Sequence, residues 1–459
     1  MASLTSLLGS TASGLSAAQQ LLATAGHNTS NVNTPGYTRQ TANLLATGSG
    51  SIWDPGGVTI GSVTQSRDRY LEAQIPAAFG QASFSQSRAD TLGSITALNP
   101  SAAQGLAATL GSFYSSLRAL SQNAGDSGLR QGVLSAAQAL ARSFNQTAAA
   151  LTQAQGSLDG QVSATVSTIN TAATLVASLN QQLRTARGAG VGASDLLDAR
   201  QQAQDQLSQL TGALPISNDQ GDVSLALPGG QMLVSGDHAT TLTAAADPAN
   251  GGHVALRLPS GEKIPAGSIS GQVGGWLSAR DGTLAAASSA LDTLATDFAS
   301  AANTAHQAGY ALDGTTGHAL FSVTPGAGAA SKIAVASDVL GNQRLLAAAG
   351  SAAAGPGDAT NLQAVLGTET GALASSGQSV GNTFSALVSG FGAAASQASA
   401  EAQHDSAIKT HLSTLRESAA GVSVDEELIN IQKAQRAYEA VSKVFNTTSA
   451  MLDVLMQLK

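Results

Sequence analysis

Histidine, aspartate and serine side chains could do chemistry in this 459-residue sequence, but their spacing builds no reactive site. His404 and His411 lie on one predicted helix face, yet two turns apart, which is too far along the axis to share one metal ion. Residues 313–317 form an Asp-Gly-rich turn that lacks the alternating ligands and the terminal Glu of a calcium loop. No serine occupies the sharp turn of a hydrolase nucleophile. We interpret these residues as a solvated or packed histidine pair and a simple turn, and we predict no catalytic residue and no metal.

The glycine-rich stretches do not resemble a cofactor loop. Gly274 and Gly275 precede Trp276 at a predicted strand-to-helix transition, without the Lys-Ser/Thr ending of a phosphate loop or the full dinucleotide pattern. We expect these glycines to let the chain swing from strand into helix. The sequon at residues 28–30 lies in a predicted helix, and we interpret it as a chance match. The sequence therefore predicts no cofactor and a protein that is not an enzyme.

Composition narrows the class of protein further. Cysteine is absent, which excludes disulfides and thiolate metal sites. Only 11% of residues are charged, against roughly 25% in soluble domains; this favours a surface that is buried in an assembly, with a genomic bias towards Ala and Gly as the alternative. The net charge of −8 and the scattered basic residues argue against nucleic-acid binding. No apolar run approaches the roughly 20 residues of a membrane span, and no basic start precedes Arg39, so we expect neither membrane insertion nor a cleaved signal peptide.

The first predicted helix covers residues 4–31. Apolar or small residues recur there in alternating steps of four and three, which is the pattern of a seam that faces a partner helix. This seam contains Leu4, Leu8, Thr11, Leu15, Ala18, Leu22 and Ala25. The other faces carry Ser, Thr, Gln and Gly, which are weak helix formers. A helix of this kind, about 42 Å long, needs a partner to be stable.

A turn ends this helix. The residue before a proline avoids the α region, and Pro35-Gly36 suits the centre of a type II turn because the second residue needs a positive φ. The turn segment contains Asn31, Asn33, Thr34, Pro35, Gly36 and Tyr37. Residues 40–63 are rich in Thr, Gly and Ser with β-prone pieces, which predicts an extended hairpin that turns through residues 54–57.

Helical patterns dominate the middle of the chain and surround one β-rich region. Residues 126–187 form a proline-free helical run that is longer than a normal globular helix, which favours a bundle or a rod. Between residues 214 and 269, short β-prone runs alternate with turn signals, which predicts a small antiparallel domain. Residues 276–306 return to a helical pattern. The chain therefore leaves a helical body and re-enters it.

The last helix is predicted over residues 424–458. Ser423 and Glu426 have the spacing of a capping box. One apolar line repeats every seven residues from Val424 through Tyr438 to Leu452, and a second line beside it includes Ala434 and Thr448. Because this apolar face is wider than one partner needs, we expect more than one neighbour. The predicted assembly interface of this helix contains Val424, Leu428, Ile431, Tyr438, Val441, Phe445, Leu452 and Leu455.

These patterns define a mainly α fold class with a β insertion. The terminal helices form a coiled-coil-like core domain, a long helical bundle or rod domain follows, and a small antiparallel β-domain lies outside. The predicted division is an inner core with its first part at 1–67 and its last helix at 422–459, a rod at 68–212, 276–308 and 372–421, the β-domain at 213–275, and a mixed Ala/Gly-rich insertion at 309–371.

Several stretches resemble a known family. The run Asn31-Val32-Asn33-Thr34-Pro35-Gly36-Tyr37 resembles the signature that follows the first helix of flagellar rod, hook and first hook-associated proteins. Thr38-Arg39-Gln40 is typical of the hook-associated protein 1 family among them. Residues 195–200, 306–310 and 421–427 resemble the same family, in family order. Thr29 replaces a large apolar residue, and the chain is short for the family, which suggests a reduced outer domain.

The resemblance implies a structural role at the junction between hook and filament. Subunits would form a ring or helical layer with the terminal helices inside and the β-domain outside. The implied partners are other copies of the chain, the hook protein, the second hook-associated protein, and an export chaperone that binds the C-terminal helix. The implied localisation is extracellular, after uncleaved flagellar type III export. A rod or hook protein, or a secreted adhesin or enzyme that acts through the β-domain, remains as an alternative.

Overall fold

The computed structural model describes residues 2–48, 56–96, 98, 105–188, 193–218 and 221–457. Its major helices are α1 (Ala2–Ser30), α2 (Arg69–Gly93), α3 (Leu106–Gln122), α4 (Ser127–Gly188), α5 (Ser194–Thr211), α6 (Gly271–Ser278), α7 (Ala285–Gln307), α8 (Ala329–Lys332), α9 (Ser337–Gly341), α10 (Thr360–Gly367), α11 (Val380–Ala420) and α12 (Val424–Gln457). A π-helical turn, Ala279–Leu284, joins α6 to α7. The predicted fold class is confirmed: long helices at both ends and in the body surround small antiparallel sheets.

The strands form small antiparallel sheets. They are β1 (Gln40–Thr47), β2 (Gly57–Gln65), β3 (Leu214–Ser217), β4 (Val223–Ala226), β5 (Met232–Ser235), β6 (His238–Ala239), β7 (Thr243–Ala246), β8 (Val254–Arg257), β9 (Phe321–Ser322) and β10 (Ala334–Val335). Strands β3 to β6 form one sheet in sequence order, while β1–β2, β7–β8 and β9–β10 are separate pairs. The predicted hairpin is confirmed as β1–β2, although Asp54 and Pro55 of its predicted turn lie outside the described residues.

The two ends of the chain pack against each other as antiparallel helices. Gly14 of α1 faces Val441 of α12, since a Cβ on this glycine would lie 3.4 Å from Val441 Cγ1. Further along, Arg39, just after α1, reaches Glu427 at the start of α12. The N-terminal half of α1 therefore lies beside the C-terminal half of α12. This contact brings the first and the last helices of the fold together.

The helical body has its own core. Four phenylalanines, each no more than 1% exposed, form its centre: Phe113, Phe144, Phe298 and Phe321. Their ring centroids lie 5.1–6.1 Å apart where they touch, in tilted, stacked and edge arrangements. The apolar residues of α4 pack into this core at one end of the helix and against the β-rich region at the other end. Helix α4 is also long and apolar enough to cross a bilayer by length and composition. Its apolar residues at Leu151, Leu158, Val162, Ile169, Val176 and Leu183 are buried inside the protein.

The passage from the β-rich region back to helix corrects the predicted role of two glycines. Helix α6 begins at Gly271 rather than at Trp276, so Gly274 and Gly275 lie inside it. A Cβ on Gly275 would lie 2.0 Å from Ser87 Oγ and 2.3 Å from the Phe84 carbonyl oxygen. The glycines therefore permit close packing of α6 on α2, and the predicted boundary between residues 275 and 276 falls within a helix.

Candidate functional site

The turn after α1 positions the residues that join the chain ends. Tyr37 N donates to Thr34 O at 3.2 Å, and Gly36 has a φ of 76°, which confirms the type II turn with its positive second φ. Gln202 Nε2 of α5 donates to Pro35 O at 2.6 Å. A Cβ on Gly36 would lie 2.6 Å from that nitrogen. Glycine is therefore required here both for its conformation and for its contact with α5.

Asn28 fixes the chain on the far side of the turn, a role that the sequence did not reveal. Its Oδ1 accepts from Tyr37 Oη at 2.8 Å and from Gln40 N at 2.9 Å, while its Nδ2 donates to Gln40 O at 2.8 Å. The side chain is 1% exposed, so it is not a glycan acceptor in this fold. Burial raises the pKa of Tyr37, and the nearby carboxylates of Asp195, Asp198 and Glu427 raise it further. The phenol therefore remains a hydrogen-bond donor at neutral pH.

Asp198 of α5 is the anchor for the residue after the turn. Its Oδ1 accepts from Thr38 Oγ1 at 2.7 Å and its Oδ2 from Thr38 N at 3.1 Å. Gln65 is the last residue of β2, and Arg67 follows the hairpin. Arg67 Nη2 and Gln65 Nε2 donate to the same Oδ1 at 2.6 and 2.9 Å. Four donors thus converge on one buried carboxylate, which ties the turn and the hairpin to the helical body.

Arg39 provides the link to α12. Its Nε donates to Glu427 Oε1 and its Nη1 to Glu426 Oε2, both at 2.7 Å, and its backbone N donates to Ala420 O at 2.8 Å. The Glu427 side chain is 2% exposed and that of Glu426 is 59% exposed. The predicted capping box is therefore only half formed. Ser423 Oγ accepts from Glu426 N at 3.5 Å, but the Glu426 carboxylate pairs with Arg39.

We call this cluster the hub; it consists of Asn28, Tyr37, Thr38, Arg39, Arg67, Asp198 and Glu427. Its two carboxylates, on Asp198 and Glu427, accept hydrogen bonds from donors on the turn and the hairpin. Within the described ranges, no three His, Asp or Glu side chains are grouped to hold a metal ion. The chemistry of the hub is charge-assisted hydrogen bonding, which is stronger than bonding between neutral groups. What it does is join α1, α5, the β1–β2 hairpin and α12 at one place.

The residues of the predicted interface lie on and beside the contact between α1 and α12. Leu4, Leu8 and Leu15 are half-buried, and Leu22 is 37% exposed. On α12, the half-buried members are Ile431, Val441, Phe445 and Leu452, and the exposed ones are Val424, Leu428, Tyr438 and Leu455. The fully buried line of α12 is Glu427, Ala434 and Thr448. The line that faces α1 therefore contains Ala434 and Thr448 of the second predicted line, because small side chains let the two helices approach closely.

Residues of the turn segment divide in the same way. Asn31 and Tyr37 are half-buried, whereas Asn33, Thr34, Pro35 and Gly36 are exposed. Asn31 Oδ1 accepts from Thr34 Oγ1 at 3.1 Å, which closes the segment on itself. The exposed part of the turn stays available on the surface beside α5.

Comparison with known families matches three parts of the chain. Residues 93–321 match the family described as "Flagellar hook-associated protein FlgK helical domain". Residues 8–38 match "Flagella basal body rod protein", and residues 416–458 match "Flagellar basal body rod FlgEFG protein C-terminal". The first of these two matches contains Asn28, Tyr37 and Thr38 of the hub, and the second contains Glu427.

Individual relatives carry a common name. "Flagellar hook-associated protein 1" of Escherichia coli is 26% identical over 548 residues, covering 99% of this chain and 100% of that protein. The Bacillus subtilis protein of that name is 28% identical over 487 residues, covering 96% and 95%. The protein of that name from Salmonella typhimurium is 33% identical over 331 residues, covering 70% of this chain and 60% of its own length.

A solved structure shares the fold. "The structure of the flagellar hook junction protein FlgK from Burkholderia pseudomallei" superposes with a TM-score of 0.69 at 18% identity, covering 76% of this chain and all of that one. Paired terminal helices, a helical body and rod-protein matches at both ends define a flagellar axial protein, a structural class. Within this class, the chain belongs to the flagellar hook-associated protein 1 family.

Proposed function

We propose that this chain is a non-enzymatic subunit of the layer between the flagellar hook and the filament. The observation that carries this proposal is the hub, which holds α1 against α12 through Arg39 and Glu427 across 388 residues of sequence. A subunit that assembles through its two ends needs these ends fixed to each other and to the body. Both connections are present, since Thr38 binds Asp198 of α5 beside the same ion pair.

Apolar side chains on both flanks of α12 support self-assembly. Val424, Leu428 and Tyr438 are 41%, 48% and 36% exposed on one flank. Val444 and Met451 are 46% and 54% exposed on the other. Contiguous exposed apolar surface of this kind marks an interaction site. In the proposed layer, neighbouring copies cover these two flanks, with one α12 between two other helices.

The β1–β2 hairpin also supports the proposal of self-assembly. Leu44 and Leu45 are 51% and 60% exposed on β1, which among the described strands pairs with β2 alone. A two-stranded hairpin is marginally stable alone in water, and this one rests on α1, where Gly57 approaches Ser13. In the proposed layer, adjacent subunits pack against the hairpin and stabilise it.

The finer assignments complete the proposal. The chain would contact the hook protein on one side of the layer and the second hook-associated protein on the other. Before assembly, an export chaperone would cover the exposed apolar residues of α12. Secretion would proceed without cleavage to the extracellular junction, where the β-rich region faces outward. The sequence division into core, rod and β-rich parts belongs to the same proposal.

The substitution Phe445→Asp tests the role of α12 in assembly. Phe445 is half-buried beside the line that faces α1, so a charge there meets apolar neighbours, at a cost of about 2–7 kcal/mol if it is left unpaired. We expect filaments to fail and monomer to leak into the medium. Gln432→Glu adds a negative charge at an exposed position on the face of α12 opposite Ala434, outside both flanks, and should leave filaments normal. Normal filaments in the Phe445→Asp strain would refute this role of α12.

Electron microscopy of a deletion strain tests the place of the layer. We expect hooks that carry no filaments. Immunogold labelling of the intact flagellum should mark a single narrow band where hook and filament meet. Labelling along the whole hook or within the rod would instead support the alternative rod-type or hook-type assignment.

A further inference from the structure

A partly open cavity of about 420 Å³ lies where the start of α4 meets loops between the end of α7 and the start of α10. Four side chains dominate its lining, namely Arg130, Tyr310, Arg344 and Asp358. The rest of the wall is mostly Gly, Ala, Ser and Pro, so the backbone of residues 349–358 surrounds an open space. This volume is within the range of small-molecule sites.

Arg130 is the unusual residue in this cavity. Its side chain is 1% exposed. Its Nε donates to Ala124 O at 2.7 Å, and its Nη1 donates to Leu346 O at 2.7 Å and to Gln343 O at 3.5 Å. All three acceptors are neutral carbonyls. Across the described ranges, no carboxylate lies within ion-pair distance of its guanidinium, and no hydrogen bond is formed by Nη2.

A buried cation without a counter-ion is costly. Burial and the nearby Arg344 lower the pKa of Arg130 to about 10, which leaves the guanidinium charged at neutral pH. The charge of Arg130 contributes to the lowered pKa of His306. Both ring nitrogens of His306 form hydrogen bonds, and its neutral imidazole does not balance the charge of Arg130.

The charges that line the cavity leave one positive charge unbalanced. Arg130 and Arg344 contribute two, and Asp358 contributes one negative charge. The carboxylate of Asp358 is already occupied, because Oδ1 accepts from Thr360 N at 3.0 Å and Thr360 Oγ1 at 2.6 Å, and Oδ2 from Gly350 N at 2.8 Å. A singly charged anion between the two arginines would complete the balance.

We propose that this cavity is a binding site for a small ligand that bears one carboxylate group, held between Arg130 and Arg344. The carboxylate accepts from Arg130 Nη2 and from the Arg344 guanidinium, and Asp358 disfavours a doubly charged phosphate. Tyr310 supplies an aromatic wall for the remainder of the ligand. An organic acid and an acidic sugar share this chemistry, and the volume accommodates either.

Isothermal titration calorimetry of the full-length chain at pH 7 tests the site with sodium acetate, sodium glucuronate and inorganic phosphate as separate probes, at constant ionic strength. We expect saturable binding of at least one carboxylate at one site per chain. Binding of glucuronate well above acetate identifies an acidic sugar, and equal binding identifies the carboxylate alone as the recognised group. Phosphate should bind at least tenfold more weakly than the better carboxylate.

The variant Arg344→Met should weaken carboxylate binding at least tenfold. Arg344 is exposed at the cavity, so its replacement leaves the carbonyl bonds of Arg130 in place and the fold intact. Arg69→Met removes the same charge from an exposed position on α2 and should bind like the wild type. Equal binding by the wild type and Arg344→Met overturns the site, as does the absence of saturable binding. Tighter binding of phosphate than of either carboxylate overturns the ligand class.

Discussion

The paired chain ends and the helical body are both helix packings, but they bury different side chains. The body closes around four phenylalanines that are all but fully buried, with Phe113, Phe298 and Phe321 in mutual ring contact. The contact between α1 and α12 buries alanines and threonines, and its large apolar residues lie half-buried or exposed on the flanks. The body therefore completes its core within one chain, whereas the ends do not.

The body is stabilised mainly by burial of apolar side chains, whereas the paired ends depend more on hydrogen bonds and ion pairs. Burial of a large aromatic side chain contributes several times what burial of an alanine does, because the gain scales with apolar area. The ends compensate with the hub, in which Arg39, Arg67 and Thr38 bind two buried carboxylates. A region held by a few polar links opens at lower free energy than a packed core. Such a region suits helices whose exposed surfaces become covered by neighbouring subunits during assembly.

The largest effect is expected in the body. Phe298→Ala leaves a cavity at the centre of the aromatic cluster and should lower the free energy of unfolding by about 3–5 kcal/mol. Thermal unfolding followed by circular dichroism measures this loss. Tyr70→Ala removes an aromatic side chain that is 84% exposed on α2 and should change stability little. Similar losses in the two variants would contradict the assignment of the core.

The next effect separates the hub from the body. Asp198→Ala removes the acceptor of Thr38 and Arg67, and the loss of one partner from a buried charged network should cost about 3 kcal/mol. The cost falls on the anchoring of residues 31–67, so limited proteolysis should cut this segment faster while α4 stays resistant. Gln206→Ala, at an exposed position two turns further along the same helix, serves as the control. Unchanged proteolysis in Asp198→Ala would show that the hub does not anchor the turn.

A smaller effect should distinguish the two glutamates that bind Arg39. Glu427→Gln weakens a charge-assisted bond at a buried position and should destabilise the contact between α1 and α12 by about 1.5–3 kcal/mol. Glu426→Gln changes a 59% exposed side chain and should cost no more than about 1 kcal/mol. Hydrogen exchange of the α1 amides measures both. Equal acceleration by the two substitutions would mean that burial does not set the strength of the link.

The smallest effect concerns pH and the body alone. Burial lowers the pKa of His306, whose Nε2 accepts from Ala347 N at 2.9 Å. The unfolded chain therefore binds a proton that the folded chain excludes, and stability falls as pH drops below the ordinary histidine value of about 6.5. Between pH 7 and pH 6 we expect a loss of about 0.7 kcal/mol. His306→Gln should flatten this slope in denaturant titrations, and an unchanged slope would contradict the neutral imidazole.

The elements that local spacing specifies were predicted well from the sequence. The helix predicted at residues 126–187 is observed as Ser127–Gly188, because a long proline-free run with helical apolar spacing is compatible with a helix alone. The Pro35-Gly36 turn has the predicted positive φ, since the requirement lies in the two residues themselves. Helix α6 was placed five residues late, because the glycines that look like a break allow close packing on α2 instead.

The partners within the hub could not be predicted in this way. Thr38 and Asp198 are 160 residues apart, and nothing local to either residue names the other. The only signal was that both belong to segments that resemble the same family. The sequence pattern also did not show which line of α12 faces α1, since Val424 and Tyr438 are larger than Ala434 and Thr448 but lie on the flank. Large apolar side chains are the buried ones in the core of the helical body. In the contact between α1 and α12, small side chains are buried instead, because they let the two backbones approach closely.

Arg39 and Glu427 lie far apart in the sequence, so the hub can close only late in synthesis. A ribosome releases α1, the turn and the hairpin long before it makes α12, so these early segments wait through 388 residues for their last partner. The body can fold in that interval around its own phenylalanines. A chain that stops before α12 leaves Arg39 without Glu427 and α1 without its partner helix. Closure of the hub therefore distinguishes a full-length polypeptide from a truncated one before it meets any other subunit.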